Sequence, residues 1–193
     1  MARPDTQTIE DRKDLLQTIA ECADKPSKFS EVFLDHDVFD YNKKYVDCQD
    51  RFIVYRSGRQ VGKTMSTAVK AIHFAFFAPL MLKTVKHECT IVIAAPTQNQ
   101  AGIMYDRIRS LIMNNEFLKG YVVRNTQTEL WVNFLDNTGM SKIITRATGE
   151  HGTTLRGYSP HCIIADECSF IKTSILKAFL PSGMATQARV WLT

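Results

Sequence analysis

The segment Ser57-Gly58-Arg59-Gln60-Val61-Gly62-Lys63-Thr64 follows, one residue on, the apolar run Arg51–Tyr55. It is close to the phosphate-loop pattern G-x-x-x-x-G-K-[ST], with Ser57 in place of the first glycine. A turn of this kind between a strand and a helix aims backbone N–H groups inward, and the helix N-terminus adds the positive end of its dipole. Gly62 lets the main chain approach a phosphate, Lys63 reaches the β and γ oxygens, and Thr64 offers a hydroxyl to Mg²⁺. Gly58, one position after Ser57, can supply an unusual backbone angle.

A second constellation stands about a hundred residues downstream, in Cys162-Ile163-Ile164-Ala165-Asp166-Glu167. Asp166 is placed to hold Mg²⁺, and Glu167 to orient or deprotonate an attacking water. Two acids after a strand also serve as a helix cap. The order of the two motifs, each behind its own apolar run, points to a Mg²⁺-dependent nucleoside triphosphatase. Arg59 reads either as a solvent-facing loop residue or as a contact to the γ-phosphate of its own subunit. Arg156, between Gly152 and Gly157, reads either as a surface residue or as an arginine finger reaching a neighbouring subunit's nucleotide.

The elements needed to position these residues alternate between strand and helix. Residues 1 to about 23 read as a helix, with Leu15, Leu16, Ile19 and Ala20 at helical spacing, and an irregular, partly helical segment follows. From residue 51 a short apolar strand leads into the loop and then into a long helix ending near Pro79. Cys89–Ala95 is nearly continuous in apolar and β-branched residues, as a strand buried on both faces should be. After Pro96-Thr97 comes an amphipathic helix, with Thr97 as its N-cap and Ile103, Ile108, Leu111 and Ile112 as its inner face. Its amide-rich start also suits a polar edge near a nucleotide or a DNA backbone. Residues 120–147 alternate like hairpin-linked strands, Cys162–Ala165 is another buried strand, a helical stretch runs to Pro181, and residues 188–193 form a last strand. Such alternation implies a parallel sheet covered on both faces, with ligands at the carboxyl ends of the strands. Both motifs fall at that edge.

Bulk properties narrow the field only a little. The 193 residues suffice for one sizeable core. A net charge of +4 permits a nucleic-acid partner without indicating one, and lysines and arginines are scattered rather than clustered. Five cysteines without a CxxC pair read as free thiols of a reducing compartment. The longest apolar stretch, Ala71–Leu82, is too short to span a bilayer and contains Pro79.

Taken together, "GRQVGKT", "IAAPTQNQA", "LRGYSPHCIIADE" and "RVWLT" resemble the ATPase domain of the large terminase subunit of tailed bacteriophages and related viruses. The resemblance covers about residues 50 to 193. It implies an α/β fold of the three-layer P-loop (ASCE, RecA-like) class with a central, mainly parallel sheet. Residues 1–50 would then be a lead-in segment packed on an ATPase core of residues 51–193, whose last strand corresponds to the coupling motif that precedes a nuclease domain in complete family members. The resemblance implies ATP and Mg²⁺ as cofactors and hydrolysis that drives double-stranded DNA into a procapsid. Its partners would be the portal and the small terminase subunit. It implies a homo-oligomeric ring, commonly a pentamer, that is a monomer in isolation, and a place in the host cytoplasm and at the portal vertex, with no membrane association. Ser57 through Thr64 correspond to the nucleotide loop, Thr64 and Asp166 to the metal positions, and Glu167 to the catalytic acid. Arg59 corresponds to a proposed cis contact and Arg156 to a proposed trans finger. The sequence departs from the family at the adenine-reading glutamine. Gln49 lies too near the loop, and Phe39 and Tyr41, at the better spacing, are not glutamines. The competing readings are a superfamily 1 or 2 helicase fragment and a nucleotide-dependent assembly module without turnover.

Overall fold

A computed structural model describes residues 6–58, 60–149, 155 and 157–193, with side chains from residue 13 onward. Three helices precede the sheet: α1 (Thr6–Cys22), α2 (Pro26–Phe33) and α3 (Asp40–Val46). Strand β1 (Phe52–Val54) leads through the loop to α4 (Lys63–Met81), β2 (Glu88–Ala95), α5 (Gln98–Met113) and the single turn α6 (Glu116–Lys119). Then come β3 (Val122–Asn125), β4 (Glu129–Asn133), β5 (Met140–Ala147), β6 (Cys162–Ala165), α7 (Thr173–Phe179) and β7 (Arg189–Leu192).

The strands form one seven-stranded sheet in the order β1-β7-β6-β2-β5-β4-β3. The five strands from β1 to β5 run parallel, and β4 and β3 continue the sheet antiparallel. Cys162, Ile164, Ile91, Ile93 and Trp191 face one apolar layer with α4, α5 and the N-terminal helices. Val92, Ala94, Ile163, Ala165 and Val190 face the other, with Leu155, Ile171, Ile175 and Phe179. Successive residues of a strand point to opposite faces, so β2 over Ile91–Ala95, β6 over Cys162–Ala165 and β7 over Val190–Leu192 are apolar on both. The result is a three-layer α/β fold. One strand, β7, separates the strand before the loop from the strand before the acids, as an ASCE-type P-loop fold requires.

Several sequence expectations shift in detail. Helix α4 runs two residues past Pro79. Proline has no N–H for the carbonyl four residues earlier, and that carbonyl, on Ala75, instead accepts the Ser141 hydroxyl at 2.6 Å. The inner face of α5 is Ala101, Met104, Tyr105, Ile108 and Ile112, while Ile103 is 61% exposed. Leu15 and Leu16 on α1 are exposed, and Cys22 at its end is fully buried. The stretch read as one helix up to Pro181 is broken into a 3₁₀ turn at Cys168–Phe170, α7, and a second 3₁₀ turn at Leu180–Gly183. All five cysteines are free, with Cys48 and Cys168 half-buried and the others buried. Among the described residues no helix is long and apolar enough to cross a membrane.

Helices α2 and α3 pack on α4 chiefly through aromatic rings and one buried cation. Phe29 of α2 meets His73 and Phe77 of α4 edge-on. Lys70, only 2% exposed, donates to the carbonyls of Val46 and Cys48 at the end of α3, and its ammonium lies over the Tyr45 and Trp191 rings. Burial pushes the Lys70 ammonium down to about 8. The cation is therefore held by carbonyl dipoles and π faces rather than by a carboxylate.

Candidate functional site

The parallel register brings four strand ends into one row. Val54 pairs with Leu192, Leu192 with Ala165, and Ala165 with Ala94. The ladder continues one residue further. Tyr55 N–H donates to Leu192 O at 2.8 Å, Thr193 N–H to Ala165 O at 3.0 Å, and Asp166 N–H to Ala94 O at 2.8 Å. Tyr55 thus starts the loop, Thr193 lies between, and Asp166-Glu167 leaves from the next strand along.

Gly62 caps α4 with φ +76°, and its N-terminal neighbour but one, Gln60, also has positive φ, at +60°. A Cβ on Gly62 would lie in ordinary contact, 3.4 Å from a Phe39 ring carbon and from Asn42 Nδ2, so it is the positive φ that calls for glycine there. The hydroxyl oxygen of Ser57 is buried with no hydrogen-bond partner among the described residues. Lys63 and Thr64 occupy the first turn of α4. Gly58 and Gln60 are exposed, and Val61 is half-buried.

Across the row, Lys63 Nζ lies 3.5 Å from Glu167 Oε1. The two motifs therefore meet, 104 positions apart in the chain. Asp166 is 5% exposed and its Oδ1 accepts the Thr193 hydroxyl at 2.8 Å. Burial holds its carboxyl above the usual carboxylate range, against the opposing pull of the Thr193 hydroxyl and the Lys63 ammonium. Glu167 has φ +50° and ψ +42°, a left-handed conformation unusual for a non-glycine residue. The arrangement offers a half-buried helix N-terminus with a lysine, a buried acid and a second acid on a strained turn. Such a set can bind an anion, hold a divalent cation beside it and polarise a water. Arg59 and Arg156 lie outside the described residues.

The remaining expectations resolve separately. Thr97 caps α5 by accepting the Gln100 N–H at 3.3 Å, and Gln98 Oε1 accepts the Ala147 N–H at 3.2 Å, so this polar edge ties β2 to β5. Gln49 faces away from the loop: its main-chain oxygen and its Oε1 both accept from the Arg189 guanidinium, at the opposite end of β7. Phe39 and Tyr41 are exposed and stacked at 5.3 Å, with Phe39 against Gly62. Asn42 was not singled out from the sequence, yet it is fully buried and donates to Val61 O at 2.8 Å. The available signal was an amide directly after an aromatic, about fifteen residues before Ser57.

Comparison with known proteins gives a consistent picture. The fold resembles the large terminase ATPase domain of Thermus phage P74-26, with 22% identity and a TM-score of 0.73 over 87% of this chain and 68% of that one. It resembles the large terminase of bacteriophage HK97 with 17% identity and a TM-score of 0.70, covering 88% of this chain and 36% of that one. The large terminase of a thermophilic bacteriophage, solved in complex with ADP, matches with 14% identity and a TM-score of 0.53 over 76% of this chain and 34% of that one. This chain thus spans about a third of those two longer terminases. No curated protein matches the sequence. Residues 54–190 match the family described as the N-terminal part of the T4likevirus-type terminase large subunit, and the chain belongs to that family.

Proposed function

We propose that this chain is the ATP-hydrolysing motor domain of a terminase large subunit, which drives double-stranded DNA into a procapsid. The observation that carries the reading is the 3.5 Å approach of Lys63 Nζ to Glu167 Oε1 across β1, β7 and β6. It brings a phosphate-loop lysine and a strand-end acid to one point, where a triphosphate would lie. The loop's main chain, from Ser57 to Thr64, cradles the phosphates, and the Lys63 ammonium moves from Glu167 to the β and γ oxygens when they arrive. Glu167, released from that pair, accepts the proton of the attacking water or orients it.

The donor set fits Mg²⁺. The Thr64 hydroxyl and the Asp166 carboxylate are hard oxygen ligands, and this ion is ordinarily held by one or two carboxylates together with substrate phosphates and water. When bound, it would neutralise charge developing on the phosphate oxygens. Asp166 is buried with one hydroxyl donor, an environment in which a cation favours the ionised form. By the same family reading the partners are the portal, the small terminase subunit and further copies of the chain in a ring, at the portal vertex in the host cytoplasm. None of this rests on the side chains of Arg59 or Arg156.

Two variants test the proposal by calorimetric binding and single-turnover hydrolysis. Lys63→Ala should lose Mg-ATP affinity. Glu167→Gln should bind ATP and slow hydrolysis by ~10²–10⁴-fold, the usual contribution of a general base. Unchanged affinity in the first, or normal turnover in the second, removes those residues from the site. Stimulation of the wild-type rate by duplex DNA without strand separation would support the motor over a helicase.

A further inference from the structure

Helix α3 lies behind the loop between β1 and α4, and one of its side chains bonds the loop's main chain. Asn42 Nδ2 donates to Val61 O at 2.8 Å. The Tyr55 hydroxyl donates to Asn42 Oδ1, which fixes the end of the amide that faces Val61. The Tyr55 ring stacks on Tyr45 with centroids 4.0 Å apart and planes within 6°. Tyr45 in turn meets the Thr67 hydroxyl at 3.0 Å, and Thr67 donates to Lys63 O at 2.9 Å. Phe39 and Asn42 fill the space beside Gly62.

A trans peptide holds a carbonyl and the following N–H on opposite sides. With the Val61 carbonyl turned toward Asn42, the Gly62 N–H is aimed away from α3. Phosphate loops bind their anion through such N–H groups. A peptide free to rotate must be ordered at the moment of binding, which costs affinity, whereas one already fixed does not.

We propose that Asn42 is a positioning residue for triphosphate binding. It fixes the Val61–Gly62 peptide in the orientation that presents the Gly62 N–H to the phosphates, and Tyr55 locks the Asn42 amide. Asn42 touches no part of the nucleotide. Its buried amide is spent on Val61 and Tyr55, so it does not read the base. The inference rests on the triphosphate site proposed above.

The test titrates Mg-ATP and inorganic tripolyphosphate with Mg²⁺ into the wild-type chain, Lys63→Ala, Asn42→Ala, Asn42→Asp, Tyr55→Phe and Ser141→Ala. Asn42→Asp keeps the acceptor for Tyr55 but removes the donor to Val61. Ser141→Ala removes a buried hydrogen bond outside the loop, to Ala75 O, and controls for lost stability. Both Asn42 variants should weaken both ligands about tenfold, the effect of one buried hydrogen bond. Tyr55→Phe should shift both in the same direction by less, and Ser141→Ala should lower Tm without changing either affinity. Should Asn42→Ala fail to fold, Asn42→Asp and Tyr55→Phe carry the test. Folded Asn42 variants that bind tripolyphosphate like wild type overturn the inference. So does loss of ATP with tripolyphosphate retained, which would make Asn42 a base contact. If Lys63→Ala binds tripolyphosphate as well as wild type does, the site itself is wrong and both readings fall. If Lys63→Ala loses binding and Asn42→Asp does not, only the role of Asn42 falls.

Discussion

Glu167 sits at φ +50°, where the Cβ of any L-residue crowds the following carbonyl at a cost of about 1–2 kcal/mol. Strain of this kind persists where the surroundings impose it, and here the flanking main chain is tied on both sides. Asp166 N–H donates to Ala94 O, and Cys168 N–H donates to Thr193 O at 2.9 Å. The turn therefore holds the carboxylate beside Lys63 against local preference. Glycine ordinarily destabilises relative to alanine through the entropy of the unfolded chain. At position 167 the order should reverse, with Glu167→Gly more stable than Glu167→Ala by about 1 kcal/mol in urea unfolding. Equal stability, or a more stable alanine variant, would show the turn to be relaxed. The acid pair was legible from its spelling and its place after Cys162–Ala165, because a run of apolar residues ending in acids marks a strand end. Its left-handed turn was not, because backbone sign at a non-glycine residue is imposed by the strands on either side.

At the scale of elements, α4 illustrates how one strand can complete a helix. Pro79 leaves the Ala75 carbonyl without its helical partner, and Ser141 of β5, fully buried, supplies the donor at 2.6 Å. Ser141→Ala should therefore strand a buried carbonyl and cost about 1–3 kcal/mol. In a Pro79→Ala background the helix regains its own donor, so the same substitution should cost less. A double-mutant cycle by chemical denaturation measures the difference, and additive effects would mean that the two are not coupled. The sequence marks Pro79 as a helix stop because proline usually is one. The side chain brought in from β5 satisfies the carbonyl that Pro79 leaves free, and the helix continues to Met81. The phase of α5 has a similar origin. Ile103 and Met104 are both apolar, and the sheet selects the stripe that includes Met104, Tyr105 and Ile108.

Across the whole molecule, the N-terminal helices are fastened to α4 partly through His73. Its Nε2 pairs with Cys22 O at 2.9 Å, and its ring stacks on Phe77. Nδ1 is buried with no hydrogen-bond partner among the described residues. Burial pulls the imidazole down to about 4, so the folded protein keeps it neutral while the unfolded chain charges it near 6.5. The unfolded state then binds more protons between these values. The stability this group supplies is complete above pH 6.5 and lost as pH falls toward about 4, by roughly 3 kcal/mol in all. Thermal unfolding between pH 7 and 4.5 should show a fall in Tm that flattens in His73→Phe. An equal slope in both would place the acid sensitivity elsewhere.

What the sequence determined by itself was local chemistry and periodicity. A G-K-T at a strand-to-helix turn, two apolar strands ending at one sheet edge, and the class of fold all follow from residue type and spacing, since phosphate cradles and buried strands tolerate few alternatives. Tertiary structure decided what depends on contacts between distant segments. It set Lys63 beside Glu167, tied Thr193 to Asp166, turned Gln49 toward Arg189, and placed Asn42 behind the loop. Each of these is a hydrogen bond or an ion pair between residues well separated in the chain. Such a pairing is chosen by strand order and helix packing, and periodicity within one segment carries no record of it.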